Sequence, residues 1–273
     1  MMGLPHQQVV PRPPNSQQIH LWILDLERHR PETFSAEVLI LDEEEKKRAA
    51  EFRREQDRQQ YCLTRTAVRN VLSSYFRDIE PARWRFRKNP HGKPQIASPG
   101  TSGPLYFNVS HSGRWVAIAI SASEGVGVDV ESISAERSML AIARRYFCPP
   151  EYSSLCSLSP DERTIRFYEL WTLKEAYSKA CGGALVPALR QLEISFPQVD
   201  RIVVQPPSDI AAAHDLAGWA FCLFELEHYL LAMALRDGAG GNGIDSTVWE
   251  IDNPLLAAAA HLTELSPTRR SVQ

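Results

Sequence analysis

The chain has 273 residues, 44% apolar and 23% charged, an ordinary soluble globular composition with enough length for one large core or two modest ones. Its 30 basic and 33 acidic side chains leave a net charge of -3, so no overall field exists to hold it on nucleic acid or anionic lipid. Five cysteines, an odd number with no C-x-x-C pair, argue against a disulfide framework or a structural zinc and predict reduced thiols in a cytoplasmic protein.

Residues 1–17 carry Pro5, Pro11, Pro13 and Pro14 without an apolar core. They are neither a secretory signal nor a spanning helix and read as a flexible leader. Residues 19–26 are apolar on both faces, as in a buried strand. Asp42 with Glu45 three residues on has the form of an N-terminal capping box and opens a charged helix to about Phe52. Asp57 is placed to cap the next helix, whose apolar positions Tyr61, Val68 and Leu72 recur at helical spacing up to Arg77.

Trp84 and Phe86 alternate with arginines in a short strand, and residues 89–92 have turn chemistry. Residues 98–103 read as a loop. Strands follow at 105–109 and 115–120, flanking Ser110-His111-Ser112-Gly113 as a turn. In 125–131, apolar residues alternate with glycine or acid, so a strand sends Asp129 and Glu131 out of one face and Val128 and Val130 out of the other.

Helices are expected at 138–146, from Pro149, and at 161–180, where Pro160 suits the first helical position and Gly182-Gly183 the stop. Strands follow at 192–196, 202–205, 219–224 and 229–235, the last two as a hairpin. The organisation is therefore α+β, with a leader (1–17), an N-terminal half (18–123), a C-terminal half (124–237) and a Gly-rich linker and tail (238–273) holding one short helix near 255–262. Asp25-Leu26-Glu27 echoes Asp129-Val130-Glu131, and each precedes an acid-capped helix and a longer helix bearing a tyrosine, Tyr61 or Tyr168. Two similar α+β halves packed face to face would place a ligand in the crevice between them.

Two carboxylates on one face of an apolar strand repel each other and need a cation or water. Taken alone, such a strand reads as a sheet edge with its acids in solvent. Its company argues otherwise. On helix 161–180, Trp171, Glu175 and Lys179 follow one another at four-residue spacing on one face, and Trp171 would draw Glu175 inward. A third carboxylate beside Asp129 and Glu131 completes a hard oxygen set of the kind that suits Mg²⁺ with a phosphoryl or diphosphate substrate. The Ser110-His111 turn offers hydroxyls, an imidazole and backbone N–H groups to an anion. Lys93, Lys47, Arg48 and Arg53 read individually as solvated side chains.

Gly92-Lys93-Pro94, then Phe107-Asn108-Val109-Ser110-His111-Ser112-Gly113-Arg114-Trp115, then Gly127-Val128-Asp129-Val130-Glu131, then Phe147 through Glu151, then Trp171-Thr172-Leu173-Lys174-Glu175-Ala176 with Lys179, resemble in order and spacing the motifs of Sfp-type 4′-phosphopantetheinyl transferases. The resemblance spans residues 18–236. It implies a pseudo-twofold pair of α+β halves in one chain, the 4′-phosphopantetheinyl transferase fold. It also implies Mg²⁺-dependent transfer of 4′-phosphopantetheine from coenzyme A to a serine of an apo acyl or peptidyl carrier protein, releasing adenosine 3′,5′-bisphosphate.

By the same resemblance, Asp129, Glu131 and Glu175 are the metal ligands, Glu175 also the base for the attacking serine, and Lys179 the group that holds the diphosphate. Gly92, Lys93 and Pro94 would bracket the adenine, Ser110 and His111 would contact phosphates, and Glu151 is an acid near the site. The pattern departs in the first helix, where Glu45 replaces a lysine and Arg48 replaces another, leaving Lys47, Arg48 and Arg53 as candidates for the 3′-phosphate. A monomer in fatty acid, polyketide or nonribosomal peptide synthesis is the expectation. A coenzyme A pyrophosphatase and a non-catalytic coenzyme A or carrier-binding protein are the alternatives.

Overall fold

β1 (Gln18–Asp25) is apolar on both faces because both are covered. In the computed structural model, which describes residues 11–29, 39–134, 138–182, 189–190, 192–207, 216–236, 244–251, 260–262 and 269–271, Ile19, Leu21 and Ile23 point into a core between two sheets. Trp22 and Leu24 point the other way, against the long helix α2 (Glu55–Tyr75). Of the expected leader, residues 11–17 are laid down on the fold, with Pro11 and Pro14 buried, while 1–10 lie outside the described residues.

α1 (Glu43–Ala50) starts at the predicted capping box, Asp42 accepting the Glu45 N–H and Glu45 the Asp42 N–H. α2 begins one turn earlier than expected. Its cap position is Arg54, and Asp57 lies in the first turn, where a carboxylate still faces the positive helix end. After a short 3₁₀ turn, β2 (Arg85–Lys88) pairs with β3 (Pro94–Ser98), a strand that escaped the sequence reading because only Ile96 and Ala97 in it are apolar.

β4 (Tyr106–Ser112) and β5 (Trp115–Ser121) form the next hairpin. Ser110, His111 and Ser112 therefore sit on a strand and not in a turn, and only Gly113 and Arg114 turn the chain.

The second half repeats this order. β6 (Val126–Ser132) is followed by α3 (Met139–Tyr146), α4 (Pro149–Ser157) and the long α5 (Pro160–Cys181), which ends on left-handed Gly182 as expected. The hairpin β7 (Glu193–Gln198) and β8 (Arg201–Gln205) comes next, then the hairpin β9 (Trp219–Leu226) and β10 (Tyr229–Arg236). Strands β1-β5-β4 match β6-β10-β9 in order and antiparallel sense. The molecule is thus layered helix, sheet, sheet, helix, with Val126, Val128 and Val130 facing Ile19, Leu21 and Ile23 across the middle.

The duplicated order is real, but the acids of the echo are not equivalent. Counted from the hairpin ends, Asp25 opposite Trp115 matches Ser132 opposite Tyr229, so Trp22 and Leu24 stand where Asp129 and Glu131 stand. Tyr61 and Tyr168 keep that same separation. Applied along the helices, it sets Val68 and Leu72, both buried in an apolar cluster with Trp22 and Leu24, against Glu175 and Lys179.

The segment beyond residue 243 is not an appended tail. β11 (Asp245–Ile251) lies parallel to β1, β12 (Ala260–Leu262) extends that sheet, and β13 (Arg269–Ser271) pairs with β8 and β9 in the second. Ile244 and Val248 enter the core between the sheets, and Trp249 stacks on Trp22 with ring centroids 5.3 Å apart. Alternating apolar residues close to a glycine run read as a linker when the partner strand, more than two hundred residues away in sequence, is not considered. Of the helix expected at 255–262, residues 260–262 are strand and 255–259 lie outside the described residues, as does the Gly-rich run. Among the described residues no helix is long and apolar enough to cross a membrane.

Deleting residues 244–273 should expose Trp22 and β1 and lower stability by at least about 4 kcal/mol, read by chemical denaturation or by loss of soluble protein. His20, whose Nδ1 lies 2.9 Å from the Tyr75 hydroxyl, has its pKa lowered to about 4 by burial, against the opposing charge of Asp245. The unfolded chain then binds the extra proton first, so stability present above about pH 6.5 is lost on acidification. Between pH 7 and 5 the loss should be about 2 kcal/mol, and His20→Gln should flatten it in the same assay.

Candidate active site

The strand and the helix that carry the charged residues touch directly, because nothing stands between them at Gly127. A Cβ there would overlap the carbonyl oxygen of Ala176 and press on the Ala180 amide nitrogen. Glycine lets α5 lie against the backbone of β6, and Lys179 reaches Asp129 as a result.

Asp129 is almost fully buried. Its Oδ1 accepts from Lys179 Nζ at 2.6 Å and from the Ser110 hydroxyl at 2.8 Å, and Lys179 Nζ lies 2.8 Å from that same hydroxyl. Burial drives the Asp129 pKa upward, and the Lys179 charge and the hydrogen bonds of Lys179 and Ser110 oppose it. Its Oδ2 is buried without a hydrogen-bond partner. Glu131, two residues on, accepts the Trp171 indole N–H at 3.1 Å. Trp171 itself is stacked on Phe167 and packed beside Tyr146 and Phe147, so the indole holds the carboxylate from a fixed base.

Glu175 completes the acidic face. Burial first, then the negative charges of Asp129 and Glu131, push its pKa up to about 7, with Lys179 pulling the other way. Among the described residues no group of three His, Cys, Asp or Glu side chains is closed into a metal cage. The residues present nonetheless fit a hard divalent cation: Asp129 keeps a bare buried oxygen, and Glu175, whose pKa is raised by burial and then by Asp129 and Glu131, faces a repulsion that a cation would offset.

Other expected residues are distributed differently. His111 shares the β4 face of Phe107 and Val109, toward α2, and its pKa is lowered by burial and then by Lys179, with Asp129 and Asp57 opposing. Ser110 faces the opposite way along the strand, yet His111 feels the charges of Lys179 and Asp129, the two groups that Ser110 bonds. Lys93 Nζ donates to the carbonyl oxygens of Glu124, Val126 and Ala180 at 3.0, 3.0 and 3.1 Å, and burial lowers its pKa to about 8. It tethers the β2-β3 hairpin to the end of α5 and the start of β6. Gly92 is at the exposed hairpin turn with φ of 92°. Pro94 and Arg48 line one cleft of about 370 Å³ with Phe86 and Arg87, while Arg48 also bonds Glu51.

The departure at Glu45 has a partner. Its carboxylate pairs with Arg65 at 2.6 Å and with the fully buried Arg69 at 2.6 Å, so it serves the first half's interior. Glu151 is likewise structural in its contacts. It accepts the Cys148 and Ile194 N–H groups at 2.8 Å each and pairs with buried Lys174 at 3.0 Å. Removing one member of a buried pair leaves the other charged and unpaired, so Glu151→Ala should cost about 3–5 kcal/mol in chemical denaturation.

A two-lobed α+β enzyme with a buried acid-lysine site between strand and helix is the class that the fold and site define. Residues 28–123 match the family model described as 4′-phosphopantetheinyl transferase, N-terminal, and residues 125–234 match that of the 4′-phosphopantetheinyl transferase superfamily. The chain is 30% identical to the 4′-phosphopantetheinyl transferase HetI of Nostoc over 72% of this chain and 83% of that protein. It is 31% identical to the Sfp enzyme of Bacillus subtilis over 62% and 72% of the two chains, and 28% identical to a Thraustochytrium phosphopantetheinyl transferase over 77% and 75%. The chain belongs to the 4′-phosphopantetheinyl transferase family, enzymes that transfer phosphopantetheine to carrier proteins. The boundary between the two matched models falls at Glu124, where β5 gives way to β6.

Proposed function

We propose that the chain moves 4′-phosphopantetheine from coenzyme A to a serine of an apo acyl or peptidyl carrier protein, as a monomer that uses Mg²⁺ and releases adenosine 3′,5′-bisphosphate. The observation that carries this reading is Asp129, a buried carboxylate gripped by Lys179 through one oxygen and left bare at the other. Such an arrangement serves a substrate that brings both a cation and a polyanion.

Asp129, Glu131 and Glu175 would hold the magnesium ion, which when bound offsets the charge of the diphosphate and of the leaving phosphate. Lys179 binds the diphosphate and accompanies the departing group. Glu175, held near pH 7 by its surroundings, is suited to take the proton from the carrier serine as its oxygen attacks the β-phosphorus. A phosphorus–oxygen bond to serine forms, the bond to the 5′-phosphate of the nucleotide breaks, and that phosphate leaves with the electron pair. In-line transfer of this kind depends on positioning and charge compensation more than on covalent help from protein. Arg48 and Pro94, which line one cleft, support a place for the nucleotide on the first half, with His111 toward its phosphates. Gly92 and Lys93 would act there through the hairpin backbone.

The test is mass spectrometry of an apo carrier protein incubated with coenzyme A and Mg²⁺, looking for the added phosphopantetheine arm. Asp129→Ala should cut transfer by at least about a hundredfold with the fold retained, and chelating the metal should do the same to the wild type. Hydrolysis of coenzyme A without a carrier would instead favour a pyrophosphatase.

A further inference from the structure

Two edge strands from different sheets run side by side at the centre of the molecule. β4 closes the first sheet and β6 opens the second, and each has its hydrogen-bonded neighbour on the far side only. The N–H groups of Val128, Val130 and Ser132 are directed away from β10, and the first two are buried. Buried backbone donors must find acceptors.

They find them in side chains. Val128 N–H donates to Asn108 Oδ1 at 2.9 Å, Val130 N–H to Ser110 Oγ at 3.3 Å, and Ser132 N–H to Ser112 Oγ at 3.1 Å. Every second residue of β4 meets every second residue of β6 at one constant register, like the teeth of a comb. The central tooth does more. Ser110 Oγ donates its proton to Asp129 Oδ1 and accepts from Lys179 Nζ as well as from Val130. A hydroxyl has one proton and two lone pairs, so Ser110 has no hydrogen-bonding capacity left for a ligand.

We infer that Ser110 is a positioning residue that orients Asp129 and Lys179 and takes no phosphate of its own, while Asn108 and Ser112 set the register that carries Asp129 and Glu131 against α5. A phosphate oxygen accepts and cannot donate when ionised, so it could reach Ser110 only by taking the proton now given to Asp129. That exchange takes the hydroxyl away from Oδ1 and leaves it to Lys179, in a buried carboxylate whose other oxygen is already bare. The inference rests on the transferase reading for the identity of the ligands, and its test separates the two.

Ser110→Ala, Ser112→Ala and Ser112→Thr are compared with wild type by calorimetry of coenzyme A binding in chelator and by the Mg²⁺ concentration that gives half the metal-induced rise in melting temperature. Transfer kinetics are measured alongside. Ser110→Ala should raise that Mg²⁺ midpoint about tenfold and, placed in a Lys179→Ala background, change metal-free coenzyme A affinity by no more than about twofold. Ser112→Ala should raise the midpoint about threefold, and Ser112→Thr, which keeps the hydroxyl, should restore it.

With Lys179 already alanine, metal-free coenzyme A binding weaker by a further factor of about five or more on Ser110→Ala makes Ser110 a phosphate ligand and overturns the inference, as does an unchanged Mg²⁺ midpoint in Ser110→Ala alone. Should Ser110→Ala not fold, an unchanged midpoint in half-buried Ser112→Ala overturns the comb by itself. A wild-type protein that binds both ligands but transfers nothing refutes the transferase reading, and the two binding measurements still decide the role of Ser110.

Discussion

The contact on which the site depends is that of buried Asp129 with half-buried Lys179, 2.6 Å apart across the join of β6 and α5. A carboxylate at that depth is costly to charge, and burial does push its pKa upward. The Lys179 ammonium and the Ser110 hydroxyl reverse part of that cost, but they serve only Oδ1. The second oxygen is left for something brought in from outside. A fully satisfied Asp129 would be a structural ion pair and nothing more, as Glu151 is with Lys174 in the same half. The difference between these two buried acids is the difference between a framework contact and a site.

The same comparison holds between the two halves. At matching places the first half sets Trp22, Leu24, Val68 and Leu72, all buried among apolar neighbours. The second half sets Asp129, Glu131, Glu175 and Lys179. One long helix on one sheet thus covers an ordinary apolar core at these places in the first case and a charged cluster in the second. The second half loses apolar burial at these positions, and the aromatic pile of Tyr146, Phe147, Phe167 and Trp171 stands beside the charged cluster and supports Glu131. The returning chain adds to the rigidity of both halves, with β11 against β1 and β13 beside β9. Any loosening of the two sheets would disturb the seam at β4 and β6 and, through it, the carboxylates.

Much was legible in the residues themselves. The Asp42–Glu45 capping box, Pro160 at the start of α5 and Gly182 at its end are local signals, decided within one helical turn, and each stands where local chemistry placed it. The strand alternation that put Asp129 and Glu131 on one face, and the four-residue spacing of Trp171, Glu175 and Lys179, are properties of single elements and needed no partner to be read. Together with the ordered motifs they sufficed for the α+β class and the family.

What tertiary structure alone decided is which of those residues meet and which groups are already taken. Lys93 and Ser110 offer free donors on paper, yet three carbonyl oxygens hold the one and Asp129, Lys179 and Val130 hold the other. The register of β4 on β6, the close approach at Gly127 and the return of β11 to β1 all join segments distant in sequence. Local propensity reports the energy of one residue in its own element, whereas a hydrogen bond or a buried charge is settled by the partner across the gap. That partner is known only once the chain has folded back on itself.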